Sequence, residues 1–364
     1  SGNTSVAGGS VPDANGSAIV VSLERMNKIR DISPSAMTAT VEAGCILEHL
    51  HQTFEEQNLF FPLNFGAKGS CMIGGNLATN AGGQNVVRYG NTRDLCLGIE
   101  AVTSDGRIVN LLSGLRKDNT GYDLRDLFIG SEGTLGIITA ATLKLFHLPK
   151  ARATTFAVVP DITRALALLN HAQAETGGAV EAFELIPKVF LQLVKKHAPQ
   201  YNIPFENIPA LCVLIEIAAT SNNESLANED GIAPVNSKLE NILEVGFEKG
   251  FVLDAVIATS EAQRRQMWDM REGALEVITA AGTRIGFDIS LPLNKIQDFV
   301  EEMESQTEAI ISGLRMCHMG HLGDGNLHYS IFPPENEPEI LMAKAEEIKS
   351  VVYDSIGKYG GSFS

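Results

Sequence analysis

The sequence lacks several features that would each indicate a particular class of protein. It contains no apolar run of the roughly 18 residues that a membrane-spanning helix needs. It has no G-x-G-x-x-G between a strand and a helix, and the glycines of GHLGDGN (320–326) have the wrong spacing for an NAD site. Positive charge is also scarce, since 28 Lys and Arg face 44 Asp and Glu and give a net charge of −16. Nucleic acid and anionic membrane surfaces are therefore not expected partners.

Cysteine is sparse and scattered. The five cysteines include no CxxC pair, a pattern typical of reduced, mostly buried thiols in a reducing compartment. We therefore expect a cytoplasmic protein, or a mitochondrial one if the source is eukaryotic. The 364 residues suggest two domains, and the composition changes at Pro149, so we predict domains over residues 1–149 and 150–364.

Glycine, by contrast, is concentrated in one stretch, Gly66 to Gly83, which has six glycines in eighteen residues. Each interior glycine costs a helix about 1 kcal/mol relative to alanine, and a strand gains no packing from it. We predict that this stretch is neither an ordinary helix nor an ordinary strand, but backbone lying against a large ligand. A solvated linker is the alternative, and the apolar residues Ile73 and Leu77 between the glycines argue against it.

Two further segments have the same bare backbone. Ser1 to Gly9 has no charged side chain, and its N–H groups could form a nest for phosphate oxygens, although a disordered terminus would look similar. Gly130 to Gly136 is a glycine-punctuated turn that leads into a predicted strand. We expect the three segments to converge on one ligand.

The remaining pattern predicts a mixed architecture. Strands are expected at 18–23 and 39–43, a helix over 46–57, and a hairpin that turns at Asp105-Gly106. After Pro149, strands and helices alternate, including one long helix over 260–281. This alternation predicts an α+β layer domain with helices on one side of its sheet.

Two histidines flank a strong turn signal in RMCHMGHLGDGNLHYSI (315–331). If the chain reverses at GDGN, His321 and His328 face each other across a hairpin. Two imidazoles so placed could bind one divalent metal together with a further ligand such as a carboxylate. They could equally be two satisfied, partly buried histidines, and the residues support both interpretations. His318 could also belong to this cluster, although as a strand neighbour it is expected to be structural.

Arg271 lies on the predicted long helix. A guanidinium binds a carboxylate through a bidentate fork, so Arg271 could hold a substrate carboxylate. Spacing alone favours the simpler interpretation, an arginine that is solvated or paired with Glu272 or Asp269.

Four motifs, in order, resemble one family. SGNTSVAGG, GAKGSCMIGGNLATNAGGQNVVRYGNTRDL, IGSEGTLGIIT and GHLGDGNLH resemble the FAD-linked oxidases of the vanillyl-alcohol-oxidase superfamily, which have a PCMH-type FAD-binding domain. Within it, the chain is similar to the group of D-lactate dehydrogenase, D-2-hydroxyglutarate dehydrogenase and the glycolate oxidase flavin subunit, the D-2-hydroxyacid dehydrogenases. The resemblance implies a two-domain α+β fold, with an FAD-binding domain over 1–149 and a substrate-binding cap domain with an antiparallel sheet over 150–364.

The resemblance also implies residue roles by matching position. FAD would be non-covalent, because the first segment has no histidine or cysteine. The metal, Zn²⁺ or Mn²⁺, would be held by His321 and His328, and Arg271 would bind the substrate carboxylate. These three residues form the implied catalytic set. The residues implied to contact FAD are Gly2, Asn3, Thr4 and Ser5 at the pyrophosphate, Gly66, Ala67, Ser70, Gly74, Gly75, Thr79, Asn80 and Gly82 at the isoalloxazine and ribityl side, and Glu132, Gly133, Gly136 and Ile138 at the adenine and ribose end.

The sequence also departs from the family pattern. The family's third metal ligand and a catalytic histidine follow a GGSxS segment, whereas this chain ends at GGSFS. A small βα segment that precedes the first loop in the family is also missing, so the resemblance implies a fragment that is incomplete at both ends. Gly286 and Leu275 stand where the hydroxyglutarate-type enzymes have lysine and threonine, which favours a smaller or less acidic substrate such as D-lactate.

The implied function is FAD-dependent, metal-assisted oxidation of a small D-2-hydroxy acid to the 2-oxo acid, with hydride transfer to flavin N5. Electrons would then pass to a quinone, a cytochrome or an electron-transfer flavoprotein. The alternative is a non-catalytic flavin-binding electron-transfer subunit of a larger redox complex. The sequence leaves open whether the protein is a homodimer.

Overall fold

The computed structural model describes residues 2–5, 8–227, 232–335 and 337–363. The chain separates at Pro149 into two units, residues 1–149 and 150–364. Among the described residues, no helix combines the length and the apolar composition that a membrane crossing requires.

Within the described residues, the N-terminal unit contains a five-stranded sheet, a two-stranded sheet and four short helices. The strands are β1 (Ile29–Ser33), β2 (Thr38–Glu42), β3 (Leu59–Phe60), β4 (Cys96–Val102), β5 (Ile108–Asn110), β6 (Ile137–Lys144) and β7 (Phe146–His147), and the helices are α1 (Leu47–Glu55), α2 (Ile73–Ala78), α3 (Val86–Tyr89) and α4 (Leu124–Phe128). The larger sheet is antiparallel in the order β1-β2-β6-β4-β5, and β3 pairs with β7. The predicted hairpin at Asp105-Gly106 is therefore the β4–β5 connection.

The core of this unit contains one face of α1 together with residues of the central strands. Leu47, Leu50 and Phe54 have the three- and four-residue spacing of one helix face, and all three are fully buried. They belong to the same buried cluster as Val41 and Leu143 of the central strands. The buried face of α1 is thus part of this core, and its spacing is visible in the sequence.

Two predictions in this unit are wrong. Residues 18–23 form no strand, and Ile19 is 88% exposed, because no strand of the described chain pairs with it. The glycine-rich stretch does contain a helix, α2. Gly74 fits there because a Cβ would lie only 2.6 Å from the Cβ of Ala43, and its amide donates to the Ala43 carbonyl at 2.8 Å. Close packing on the neighbouring segment outweighs the propensity cost of glycine.

The C-terminal unit is built on an eight-stranded antiparallel sheet in the order β11-β8-β10-β9-β13-β14-β12-β15, counted over the described residues. Its strands are β8 (Ala151–Val158), β9 (Val180–Pro187), β10 (Leu211–Ala219), β11 (Asp254–Ile257), β12 (Ile285–Ser290), β13 (Arg315–His321), β14 (Asn326–Phe332) and β15 (Ser362–Phe363). Its helices are α5 (Ile162–Thr176), α6 (Lys188–His197), α7 (Asn222–Ser225), α8 (Pro234–Glu248), α9 (Glu261–Glu272), α10 (Ala274–Ala280), α11 (Ile296–Ile310), α12 (Ile340–Ala343) and α13 (Ala345–Lys358), with a 3₁₀ turn at Leu293–Lys295.

Helices cover both faces of this sheet, not one face as predicted. All nine residues of β10 are buried, which requires cover on both sides. Residues of α6, α9 and α10 form one buried cluster with alternate strand residues such as Leu214 and Met319. On the other face, Phe299 of α11 makes an edge contact with the ring of Tyr329. The nearly continuous apolar sequence of β10, without alternating polar residues, indicates that the strand is buried on both faces.

The predicted long helix over 260–281 is interrupted at Gly273, between α9 and α10. The ring of Tyr201 packs against the Cα of Gly273, so that any Cβ at this position would collide with the tyrosine hydroxyl. A tertiary contact therefore requires glycine at the point where the helix is interrupted.

Substituting Gly74 separates its packing role from its helix propensity. An alanine gains up to about 1 kcal/mol of helix propensity, but overpacking a buried site costs about 1–3 kcal/mol. We expect Gly74→Ala to lower the free energy of unfolding by about 1–2 kcal/mol, measured by urea denaturation followed by circular dichroism. Gly66→Ala is the matched control, because no atom lies within 4 Å of an added Cβ there, and it should change stability little. Equal stability of the two variants would contradict the packing explanation.

Candidate active site and cofactor segments

The three glycine-containing segments of the N-terminal unit lie against one another. The Gly130 amide donates to the Leu77 carbonyl at 3.0 Å, and the Glu132 amide donates to the Ala78 carbonyl at 2.9 Å. These bonds tie the 130–136 turn to the end of α2. A Cβ on Gly2 would collide with the carbonyl oxygen of Ser70, which places the first segment against the second. The segments therefore converge, while their contact with a ligand stays a prediction.

The backbone of these segments has unusual φ angles and is partly exposed to solvent. Asn3, Asn80 and Glu132 have φ angles of 59°, 49° and 51°, in the left-handed region that non-glycine residues rarely adopt. Gly130 and Gly133 also have positive φ, both 83°. Strain of this kind concentrates at sites where backbone must present its polar groups to a ligand.

A buried polar atom beside these segments also lacks a partner. The Asn76 side-chain oxygen in α2 makes no hydrogen bond with any described residue. An orphan acceptor of this kind, next to accessible backbone, fits a polar ligand such as a dinucleotide.

The predicted cofactor residues do not all have the same exposure. Gly74 and Ile138 are buried in the protein core, so only their backbone could reach a ligand. Of the first segment, Ser1, Val6 and Ala7 lie outside the described residues. The exposed members of the predicted set are Asn3, Ser5, Gly66, Ser70, Thr79, Gly82, Glu132 and Gly133, and the partly buried ones are Gly2, Thr4, Ala67, Gly75, Asn80 and Gly136.

In the C-terminal unit, the hairpin brings the two predicted histidines together. Strands β13 and β14 pair so that His321 lies opposite Asn326 and His328 lies opposite Met319. The two imidazoles share one sheet face, with ring centroids 5.2 Å apart and an interplanar angle of 81°. His318 has the opposite strand parity and points to the other face, which agrees with the structural role predicted for it.

Glu184, which sequence reasoning missed, links the two predicted functional groups. It lies on β9, and the strand register places it beside His321. Its Oε1 is 2.7 Å from Nδ1 of His321, and its Oε2 accepts a hydrogen bond of 2.7 Å from Nε of Arg271. Burial opposes ionisation of Glu184, but the charges of Arg271 and His321 outweigh it and lower its pKa to about 2. A signal was available, since a carboxylate inside the apolar run VEAFELIP needs a buried partner.

Arg271 is therefore paired, but not with the acids predicted for it. Its partner is Glu184 on a distant strand rather than Glu272 or Asp269 on its own helix, because the sheet face offers a buried carboxylate. Its Nη2 lies 2.6 Å from Glu184 Oε2, yet this buried nitrogen has no hydrogen bond of good geometry within the described residues. The guanidinium keeps donor capacity for a ligand.

A second polar cluster holds helix α9 against the sheet. Glu216 on β10 accepts hydrogen bonds through Oε2 from Thr154 (2.6 Å), Arg264 (2.9 Å) and Trp268 (2.7 Å). Arg264, Trp268 and Arg271 are four and then three residues apart, so they lie on one helix face. The cluster thereby fixes the rotation and height of α9 and aims Arg271 at Glu184.

His328 has its own acidic neighbour. Its Nδ1 lies 3.6 Å from Asp288 Oδ1 on β12, and Asn326 Nδ2 donates to the same oxygen at 2.6 Å. Each imidazole thus has Nδ1 near a carboxylate, and neither Nε2 has a hydrogen-bond partner among the described residues. Carboxylate contact at one ring nitrogen is typical of metal-binding histidines. However, no group of three or more His, Cys, Asp or Glu side chains in the described part of the chain is arranged to hold a metal.

The cysteines take no part in this site. All five are free and buried, as predicted. Burial raises the pKa of the Cys45 thiol to about 11 and that of Cys96 to about 12, so these thiols stay protonated and unreactive at neutral pH.

Comparisons with known proteins agree with this architecture. The FAD binding domain family matches residues 1–112, and the FAD linked oxidases, C-terminal domain family matches residues 148–364. A D-2-hydroxyglutarate dehydrogenase from Xanthomonas citri is 35% identical to the chain, over all of the chain and 73% of the relative. The chain belongs to the FAD-linked oxidase family. The predicted recognition is thereby confirmed, including its D-2-hydroxyacid dehydrogenase type.

Other relatives of this FAD-linked oxidase are longer. The mitochondrial D-2-hydroxyglutarate dehydrogenase of Danio rerio is 37% identical over the whole chain, which spans 64% of that protein's length. A solved structure of alkyldihydroxyacetonephosphate synthase has a TM-score of 0.66 at 18% identity, over 93% of this chain and 62% of that one. This likeness shows the fold alone and confirms the predicted two-domain α+β class.

Removing the charge of Glu184 should destabilise the C-terminal unit. Glu184→Gln leaves Arg271 buried without its counter-charge, which costs about 3–5 kcal/mol. We expect this loss at pH 7 in urea denaturation followed by the fluorescence of Trp268, the single tryptophan. Because the folded pKa of Glu184 is depressed, its stabilisation is present above pH 4.5 and is lost as the pH falls towards 2.

The matched control for this variant is Glu335→Gln. Glu335 pairs with Lys196, but its side chain is 63% exposed, so its removal should cost no more than about 1 kcal/mol. The role given to Glu184 would be contradicted if both variants lost a similar amount of unfolding free energy. It would also be contradicted if the stability difference between Glu184→Gln and the wild type did not become smaller at acidic pH.

Proposed function

We propose that the complete gene product catalyses the FAD-dependent oxidation of a D-2-hydroxy acid to the corresponding 2-oxo acid. The observation that carries the proposal is the buried Glu184 carboxylate that joins Arg271 to His321 on the sheet face that also bears His328. This arrangement combines a cation for a substrate carboxylate with two imidazoles near its α-hydroxyl. The relatives from Danio rerio and Xanthomonas citri are named as D-2-hydroxyglutarate dehydrogenases, which supports the same reaction class.

The N-terminal segments would hold the cofactor. Accessible backbone at Gly66, Gly82 and Gly133, together with the orphan Asn76 oxygen, suits a large polar ligand. Bound FAD would supply the hydride acceptor. We propose that the cofactor residues predicted from the sequence contact FAD and that the FAD is bound non-covalently.

Arg271 would orient the substrate. Its pairing with Glu184 fixes the guanidinium plane, and the remaining N–H donors can bind a substrate carboxylate. Holding the carboxylate in one place directs the neighbouring α-carbon, and such positioning is worth several kcal/mol in catalysis. A polar group held rigidly by a buried partner suits this role better than a solvated side chain.

His321 and His328 would bind a divalent metal, Zn²⁺ or Mn²⁺, in the proposed enzyme. Two imidazoles with free Nε2 atoms and carboxylates behind them fit two of a metal's ligands, and a further ligand is required. A cation there would lower the pKa of the substrate hydroxyl. We assign no described residue as the base that accepts the hydroxyl proton.

The substrate and acceptor are also part of the proposal. Gly286 and Leu275 favour a small acid such as D-lactate, whereas the names of the two relatives point to D-2-hydroxyglutarate. Reoxidation would involve a quinone, a cytochrome or an electron-transfer flavoprotein. We propose a cytoplasmic location, or a mitochondrial one in a eukaryote, since the relatives include a bacterial and a mitochondrial protein.

Anaerobic reduction tests the reaction directly. We expect the visible flavin absorbance of the complete gene product to bleach on addition of D-lactate or D-2-hydroxyglutarate, and not with the L-enantiomers. Turnover with a dye acceptor should likewise be seen with the D-enantiomers and not with the L-enantiomers. A yellow protein that none of a panel of 2-hydroxy acids bleaches would instead support the non-catalytic electron-transfer subunit, and a protein that takes up no flavin would reject both.

Substitution of the histidines tests the metal. His321→Ala and His328→Ala should each remove bound metal, measured by elemental analysis, and abolish turnover while the flavin content is unchanged. His318→Leu is the matched control, because this ring lies on the opposite sheet face, and it should retain both. Unchanged metal content in His321→Ala or His328→Ala would reject the proposed ligands.

A further inference from the structure

The N-terminal unit has a cavity at the end of its larger sheet where β4 begins and β6 ends. Cys96, the first residue of β4, pairs with Leu143, which is next to the last residue of β6. The cavity has a volume of about 270 Å³. Its lining contains four cations and two carboxylates, namely Arg93, Arg116, Arg125 and Lys144, and Asp94 and Asp126. Four different segments of the chain supply these cations.

The charge of this lining is opposite to that of the chain. Acids outnumber cations by 44 to 28 in the whole sequence, whereas cations outnumber acids by four to two around the cavity. Asp123 lies outside the lining and pairs with Arg125 at 2.7 Å, which still leaves one cation in excess. A small space with a net positive charge in an acidic protein attracts anions locally.

Two of the four cations are held in place by the protein itself. Arg125 on α4 makes ion pairs with two aspartates, and its Nη1 donates to the Cys96 carbonyl at 2.9 Å. Arg93 donates from Nη1 to the Asp126 carbonyl at 2.6 Å and from Nη2 to the Ile129 carbonyl at 2.8 Å. These bonds fix both guanidinium groups, so this part of the wall is formed before any ligand binds.

The other two cations keep their charge available for a ligand. The Lys144 ammonium lies 5.2 Å from the centroid of the Phe146 ring and makes no ion pair with any described residue. The Arg116 side chain donates one hydrogen bond of 3.3 Å to the Ala36 carbonyl and likewise has no acidic partner in the described part of the chain. The Nε–H of Arg93 is also unused there. Donors from three segments therefore remain free at the cavity.

The cavity is separate from the residues predicted to bind FAD. None of its lining residues belongs to that set. Lys144 is the last residue of β6, whereas the Gly130–Gly136 turn precedes the first residue of the same strand, about 23 Å away. Arg93 is the nearest link between the two regions, because its amide donates to the Asn80 side chain at 3.0 Å. The cavity therefore lies beside the predicted cofactor site and not within it.

We propose that this cavity binds a small, multiply charged oxyanion of the phosphate class. Cations that approach from several directions match a tetrahedral group better than the flat fork of a single carboxylate, which one arginine can bind alone. A phosphate group carries a charge of about −1.5 to −2 at pH 7, close to the excess of cations in the lining. Free phosphate and the phosphate group of a larger molecule share this chemistry.

Calorimetric titration of the complete, FAD-loaded gene product with inorganic phosphate tests the proposal. We expect binding that weakens as the ionic strength rises, because salt screens the charges, and much weaker binding of acetate. Lys144→Met should weaken phosphate binding by about tenfold, since it removes a cation without breaking an ion pair. Arg116→Met should act in the same direction but less strongly, because Arg116 is exposed.

Lys28→Met is the matched control. It removes one positive charge from the same unit, but Lys28 is exposed and its carbonyl accepts from the Glu42 amide at one end of β2. Lys144 pairs with Thr38 at the other end of that strand. The control should therefore leave the phosphate affinity unchanged. Circular dichroism and flavin content report whether each variant is folded.

A second probe, the monoester glycerol 2-phosphate, separates the two sources of the anion. Tighter binding of inorganic phosphate supports a site for the free anion, and tighter binding of the monoester supports a site for a phosphate group on a larger ligand. The proposal is overturned if neither probe binds, or if Lys144→Met and Lys28→Met weaken binding equally.

Two further measurements separate this site from the rest of the protein. Excess FAD should not displace phosphate from the flavin-free protein, and displacement would overturn the proposal of a separate site. The titration does not depend on turnover, so it gives the same answer if the protein oxidises no 2-hydroxy acid. Conversely, Lys144→Met should retain the bleaching of the flavin by substrate, and loss of bleaching in a folded variant would contradict the separation of the two sites.

Discussion

The buried carboxylate of Glu184 is the interaction on which the candidate site depends. A charge in the middle of a covered sheet is tolerated only when its partners are correctly placed, because the cost of an unpaired buried ion is several kcal/mol. Its two oxygens contact different elements, since one binds His321 on the neighbouring strand and the other binds Arg271 on helix α9. The strand register and the helix position are therefore linked through one side chain. The Glu216 cluster acts on the same helix from its other end and leaves Arg271 little freedom to move.

The glycines of the N-terminal unit serve two physical purposes. Gly74 is buried and makes room for Ala43, so it belongs to the packing of the unit. Gly66 and Gly133 have no neighbour within the reach of a Cβ, and their backbone is open to solvent. A glycine-rich motif thus combines residues that hold the scaffold together with residues that leave peptide groups accessible.

Charge is distributed unevenly between the surface and the sheet face of the C-terminal unit. The chain has a net charge of −16, so that any anionic ligand would have to be attracted by local cations. Arg271 supplies a guanidinium that the buried Glu184 holds in place.

The sequence by itself determined the features that depend on local order. Helix α1 and the histidine hairpin with its turn at GDGN follow from spacing and turn chemistry, and the four motifs in order identified the family. The bare backbone of the three glycine-containing segments was also visible in the sequence, whereas their convergence depends on contacts between distant residues. Tertiary structure decided what depends on residues far apart in the chain. Glu184 and Arg271 are 87 positions apart, and only the order of the strands brings them together. Likewise, Tyr201 leaves no room for a side chain at Gly273, where the helix is interrupted, and the segment 18–23 has strand composition but pairs with no strand among the described residues. Strand pairing, the packing of helices on the sheet and the pairing of buried charges depend on the whole sheet, and a local sequence pattern does not contain them.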